Sequence, residues 1–145
     1  VHNAFYLGRG FSYPIALEGA LKLKEITYVH AEGYAAGELK HGPLALINED
    51  MPVVVVIPPG DDYDKTLVNL EEVRARGASV LAVGSEGNED LKSKSKEMIG
   101  MNPEVPDILA PLVYTVPLQL LAYHVTIEKE YNPDQPRNLA KVITV

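Results

Sequence analysis

Nearly unbroken apolar runs alternate along the chain with stretches of helical periodicity. Ala4–Leu7, Pro52–Pro58 and Ser79–Val83 are the apolar runs, and runs without polar alternation belong to parallel sheets covered on both faces. The second ends in Pro58-Pro59-Gly60, which closes the strand. Tyr13–Tyr28 carries a helical pattern, with Leu17, Ala20, Leu21 and Ile26 on or near one stripe. Asp61–Arg76 is acidic at its start, basic at its end and stopped by Gly77, an order that suits the helix macrodipole. Gly33 and Gly37 bracket a loop, and Glu38–Ile47 reads as a shorter helix with Pro43 near its start. Glu97–Met101 is a weak fourth strand, a long helix runs from about Asp107 to Glu130, and Asn132–Val145 is a tail. Strands alternating with helices predict an α/β fold: a parallel sheet between helical layers, as one domain over residues 1–145.

Composition narrows this picture little but usefully. The 145 residues are 46% hydrophobic and 23% charged, typical of a globular domain. A net charge of −7 argues against a general nucleic-acid or anionic-membrane binder, although it leaves room for a small basic pocket. The chain has no cysteine, so disulfides, thiolate metal sites and a cysteine nucleophile are absent, and a cytoplasmic address is compatible. It begins at Val1, with no initiator Met and no leader pattern, which reads as a domain excised from a longer protein. Ile108–Ile127 contains no charged residue over 20 positions, the length of a membrane span. Its two prolines, Gln119 and His124 favour a core or interface helix instead, and no membrane partner is expected.

Three places could carry chemistry. Glu18, Lys22 and Glu25 sit at offsets 0, 4 and 7, within roughly 60° of one another on a helix. Such a face is ordinarily a solvated stripe; it would also suit a carboxylate base beside a cation, for proton transfer next to a carbonyl. A glutamate near pKa 4.3 is a weak base and would need burial that outweighs Lys22. Histidine as a residue type can donate or accept a proton near neutral pH without special tuning, and His41 lies in Glu38-Leu39-Lys40-His41-Gly42-Pro43. His2, His30 and His124 share its ordinary prospect of being silent, no pair has metal-site spacing, and no metal or cofactor is expected. Lys141 lies near the chain end in Asp134-Gln135-Pro136-Arg137-Asn138-Leu139-Ala140-Lys141. An unperturbed lysine is neutral in only about one molecule in 2,500 at pH 7, so a Schiff-base role requires a tail folded over a pocket. Gly8-Arg9-Gly10 does not match a dinucleotide fingerprint, because Tyr13 and Pro14 occupy the places of the third glycine and helix start. The junction remains a candidate phosphate loop with Ser12 as its lone hydroxyl.

Taken together and in order, these stretches resemble a known family. Leu7-Gly8-Arg9-Gly10 with Tyr13–Glu25, His30-Ala31-Glu32 through Gly37–Leu46, Val116–Tyr123 and Asp134–Lys141 are similar to the second sugar-isomerase (SIS) subdomain of the glucosamine-6-phosphate synthases, the glutamine–fructose-6-phosphate aminotransferases. The resemblance spans the chain, is strongest at its two ends and adds little over about residues 60–105.

The resemblance implies a three-layer α/β/α sandwich with a parallel, roughly five-stranded sheet. It implies that fructose-6-phosphate becomes glucosamine-6-phosphate, with ammonia drawn from glutamine. Position by position, Glu25 would be the base moving a proton between C1 and C2, and Lys22 its charged neighbour at the enolate-like oxygen. His41 would assist ring opening from a partner subunit, which implies a homodimer. Lys141 would form the Schiff base with the open-chain sugar and Ala140 a backbone contact, with Glu18 a weaker supporting candidate. The glutaminase domain and the first SIS subdomain, with its Ser/Thr-rich phosphate loop, are not in this sequence. Two other readings stand beside this one. A non-catalytic sugar-phosphate-sensing SIS module would not need Glu25, Lys22 and Lys141 together. A stand-alone sugar-phosphate isomerase or deaminase would want a hydroxyl-rich phosphate loop of its own.

Overall fold

The computed structural model describes residues 1–139. Its strands are β1 (Asn3–Gly8), β2 (His30–Ala35), β3 (Pro52–Ile57), β4 (Ser79–Ser85) and β5 (Glu97–Met101). They form one parallel sheet in the order β2-β1-β3-β4-β5. The valine run Val53–Val56 occupies the centre of β3, buried on both faces as its unbroken apolar pattern predicts. The helices are α1 (Ser12–Thr27), α2 (Tyr63–Arg74), α3 (Glu89–Lys94) and α4 (Ala110–Glu128). Helices α1 and α4 close one face around Tyr6, Ala16, Ala20, Tyr114 and Leu118. Helices α2 and α3 close the other around Leu7, Leu39, Val55, Leu70 and Leu91. The three-layer α/β/α sandwich is therefore present.

Four details differ from the sequence reading. His30–Ala35 is a strand, pairing with β1 along its whole length from Asn3↔His30 to Gly8↔Ala35. Glu89–Lys94 is a short helix capped by Asn88, whose side chain accepts from Leu91 N. The helix expected over Glu38–Ile47 is instead two 3₁₀ turns, Ala36–His41 and Pro43–Leu46, separated by Gly42 at φ +147°. That backbone angle cannot continue a right-handed helix. In α1 the buried stripe is Ile15, Ala16, Gly19, Ala20 and Leu23, whereas Leu17 and Leu21 are exposed.

The strand order reverses direction between β1 and β3. In open parallel sheets ligands bind at such a switch point, outside the carboxyl ends of the strands. A cavity of about 210 Å³ lies there, bordered by Arg9, Ser12, the Pro58-Pro59-Gly60 turn and three aspartates, Asp61, Asp62 and Asp107.

Candidate active site

Helix α1 turns Glu18, Lys22 and Glu25 to one side because its opposite side is committed to the sheet and α4. Lys22 Nζ lies 2.8 Å from Glu25 Oε2 and 3.6 Å from Glu18 Oε1. The hydrogen bond to Glu25 holds the Lys22 ammonium above the ordinary lysine range, against a smaller opposing effect of burial and with help from the charge of Glu18. A cation fixed between two carboxylates is thus built into one helical face. Glu25 keeps 31% of its side-chain surface open, so further enclosure would have to come from outside residues 1–139.

The tail returns to the end of this same helix. Tyr28, the residue that stops α1, adopts φ +61°, and its N–H closes on Lys24 O. Its ring meets Tyr131 at 5.2 Å between centroids, and the Arg137 guanidinium lies 3.8 Å from its centre. Arg137 N–H donates to the Tyr28 hydroxyl at 2.9 Å, a bond that lowers the tyrosine's pKa. The last described residues therefore dock three positions beyond Glu25. Lys141 and Ala140 lie outside the described residues.

His41 stands elsewhere. It ends the first 3₁₀ turn with 73% of its side chain exposed, and its Nδ1 is 2.7 Å from Glu38 Oε2. Glu25 is near the end of α1, beside the start of β2, whereas His41 follows the end of β2. Leu39, two residues before His41, is buried on the α2 side of the sheet, whereas α1 covers the opposite face. One chain therefore does not bring Glu25 and His41 together.

The crevice beside Gly8-Arg9-Gly10 has the wrong charge for a phosphate dianion. Arg9 is engaged by Asp62 at 3.7 Å and by Asn69 at 3.3 Å, and Asp61 and Asp107 add negative charge nearby. Among the described residues no cluster of three His, Cys, Asp or Glu side chains could hold a metal ion. The Tyr28–Arg137 contact escaped the sequence reading because its partners are 109 positions apart, and no local spacing signals such a pair.

A parallel sheet wound in both directions from β1, with a carboxylate–lysine face on α1 and a tail folded toward the end of that helix, defines a doubly wound α/β module. The chain belongs to the SIS domain family, whose model matches residues 1–129. It is 63% identical over its full length to the glutamine–fructose-6-phosphate aminotransferase [isomerizing] of Methanothermobacter thermautotrophicus, and covers 25% of that protein. The enzyme of the same name from Escherichia coli K12 is 58% identical over 99% of this chain, which covers 24% of it. Among solved structures, the C-terminal domain of glucosamine-fructose-6-phosphate aminotransferase from Francisella tularensis matches 92% of this chain at TM-score 0.86 and 48% identity. This chain covers 38% of that one. The chain thus spans about a quarter of the length of the curated relatives it matches and is homologous to their C-terminal isomerase part.

Proposed function

We propose that this chain is the second SIS subdomain, over residues 1–145, of a glutamine–fructose-6-phosphate aminotransferase. In this reading it supplies the base and the Schiff-base tail that convert fructose-6-phosphate and glutamine-derived ammonia to glucosamine-6-phosphate. The observation that carries the reading is the docking of Arg137 on Tyr28, which leads the tail to the end of α1 that bears Glu25.

Each role follows from chemistry the residue can perform. Lys141 condenses with the open-chain C2 carbonyl and releases water; ammonia then adds at C2 and displaces the lysine amine, and the resulting C2 iminium draws electrons from C1. Glu25 takes the C1 proton and returns it at C2, a carboxylate shuttle that needs a water-poor setting to be effective. Lys22, kept charged by its pairs with Glu25 and Glu18, faces the oxygen on which negative charge grows. Glu18 supports by holding Lys22, and Ala140 offers its backbone to the sugar.

His41 would assist ring opening at the site of a second copy. The placement of the His41 turn and the Glu25 helix on opposite faces of the sheet supports that assignment, and with it a homodimer. The sugar phosphate would be gripped by the preceding SIS subdomain and ammonia supplied by a glutaminase domain of the same longer protein. The acid-rich crevice beside Arg9 supports placing the phosphate grip outside this chain. The chain alone is then expected to bind fructose-6-phosphate weakly and to form no glucosamine-6-phosphate. The parent enzyme would be cytoplasmic, an address with which the lack of cysteine is compatible.

Glu25→Gln tests the assignment in the complete enzyme. Isomerisation should be abolished while glutamine hydrolysis continues. Retained isomerisation would remove Glu25 from the mechanism.

A further inference from the structure

The loop after β1 and the turn that carries His41 are joined through α2 by side chains that none of the roles above uses. Arg9 donates from Nη1 to Asn69 Oδ1 at 3.3 Å, and its Nε lies 3.7 Å from Asp62 Oδ1. Asn69, nearly buried on α2, donates from Nδ2 to Glu72 Oε2 at 3.2 Å. The other oxygen of Glu72 meets Lys40 Nζ at 2.6 Å, and Lys40 immediately precedes His41. A Cβ on Gly37 would fall 3.2 Å from both terminal nitrogens of Arg9. The guanidinium therefore rests close against the turn's own backbone, where a larger residue would have to push it aside.

These contacts matter because His41 has little else to fix it. Its imidazole is exposed, and its hydrogen-bond partner, Glu38, belongs to the same short turn. A 3₁₀ turn of this length has poor hydrogen-bond geometry of its own, so its orientation has to come from tertiary anchors. Leu39 supplies one, fully buried among the α2-side core residues. The polar chain supplies the other, at the residue beside His41. Glu72 is mostly enclosed, and Lys40 holds its carboxyl below the usual carboxylate range despite that burial.

We propose that Arg9, Asn69, Glu72 and Lys40 form a clamp that sets where the 3₁₀ turn presents His41, which makes Arg9 and Glu72 positioning residues for proton transfer. This rests on the reading of His41 as the group that assists ring opening. The clamp crosses from the crevice at the switch point to the turn, so Gly8-Arg9-Gly10 holds a neighbouring segment of protein in place of a phosphate.

The test uses the complete enzyme with fructose-6-phosphate and four forms: wild type, Glu72→Ala, His41→Ala and the double variant. Displacing a catalytic group by about 1 Å costs up to roughly 100-fold in rate. Glu72→Ala is therefore expected to lower kcat about 10- to 100-fold with KM changed little, and Glu72→Gln, which keeps the Asn69 contact, should recover part of the loss. In the His41→Ala background, Glu72→Ala should add no further loss, because a residue that acts only through His41 has nothing left to position. Amide exchange of residues 39–41 in Glu72→Ala should quicken while melting temperature stays near wild type. Additive losses in the double variant, or a folded Glu72→Ala enzyme with wild-type kcat, would overturn the clamp while leaving His41 in the mechanism. A His41→Ala enzyme with wild-type kcat would overturn the reading of His41 itself and, with it, any positioning role for Arg9 and Glu72.

Discussion

Lys22 and Tyr28 show how far residue-level chemistry can be read from sequence and where it stops. Helical spacing alone put Glu18, Lys22 and Glu25 on one face, and both ion pairs form. Tyr28 carried no local signal, because its partners Tyr131 and Arg137 arrive from the far end of the chain. A third residue makes a separate prediction. Tyr6 is fully buried in β1, and its hydroxyl has no hydrogen-bond partner among the described residues, so burial drives its pKa upward. An unpaired buried hydroxyl costs about 1 to 3 kcal/mol. Tyr6→Phe should therefore leave urea-denaturation stability unchanged or raise it by about 1 kcal/mol. A loss of stability in that experiment would mean that the hydroxyl is satisfied, for instance by a buried water.

At the scale of elements, the legible pieces were those with an unbroken pattern. The valine strand β3 and the charge-ordered helix α2 fall within two residues of their expected bounds. Strand β2 was missed because it is an edge strand: its sequence His30-Ala31-Glu32-Gly33-Tyr34-Ala35 mixes polar residues with a glycine. Gly33 is needed there for a packing reason. A Cβ would lie 2.9 Å from Leu17 Cα and 3.0 Å from Leu17 N, so α1 sits directly on the strand. Backbone cannot yield as a flexible side-chain end can. Gly33→Ala should destabilise the domain by about 1 to 3 kcal/mol, measured by chemical denaturation. An unchanged midpoint would show that α1 lies further from β2 than described. The short helix α3 and the broken turn at Gly42 were illegible for a different reason, being set by one cap and one backbone angle.

At the scale of the whole molecule, the outer side of α4 is apolar and uncovered among the described residues. Helix α4 is long and apolar enough to cross a membrane, yet it lies against α1 and the sheet and leaves Leu112, Val116, Leu120, Tyr123 and Ile127 exposed in a stripe at helical spacing. Leu17 and Leu21 of α1, in the same layer, are exposed as well; exposed apolar stripes of this kind mark protein contacts. The absence of charge was legible; which side chains faced outward was not, because the whole helix is apolar. Leu112→Asp combined with Leu120→Asp should cost little fold stability, since both positions are exposed, and should convert a self-associating chain to a monomer on gel filtration. A wild-type chain that is already monomeric at high concentration would contradict docking between copies of the chain through this stripe. The central claim, that the tail amine and the Glu25 carboxylate act on one sugar carbonyl, is tested most directly by trapping. The complete enzyme is treated with fructose-6-phosphate and cyanoborohydride, which reduces an iminium to a stable secondary amine, and the site is mapped by mass spectrometry. The account predicts a hexose-phosphate adduct on Lys141, in wild type and in catalytically stalled Glu25→Gln alike. An actively turning-over enzyme with no adduct on Lys141, or a Lys141→Arg variant that forms product at the wild-type rate, would contradict it.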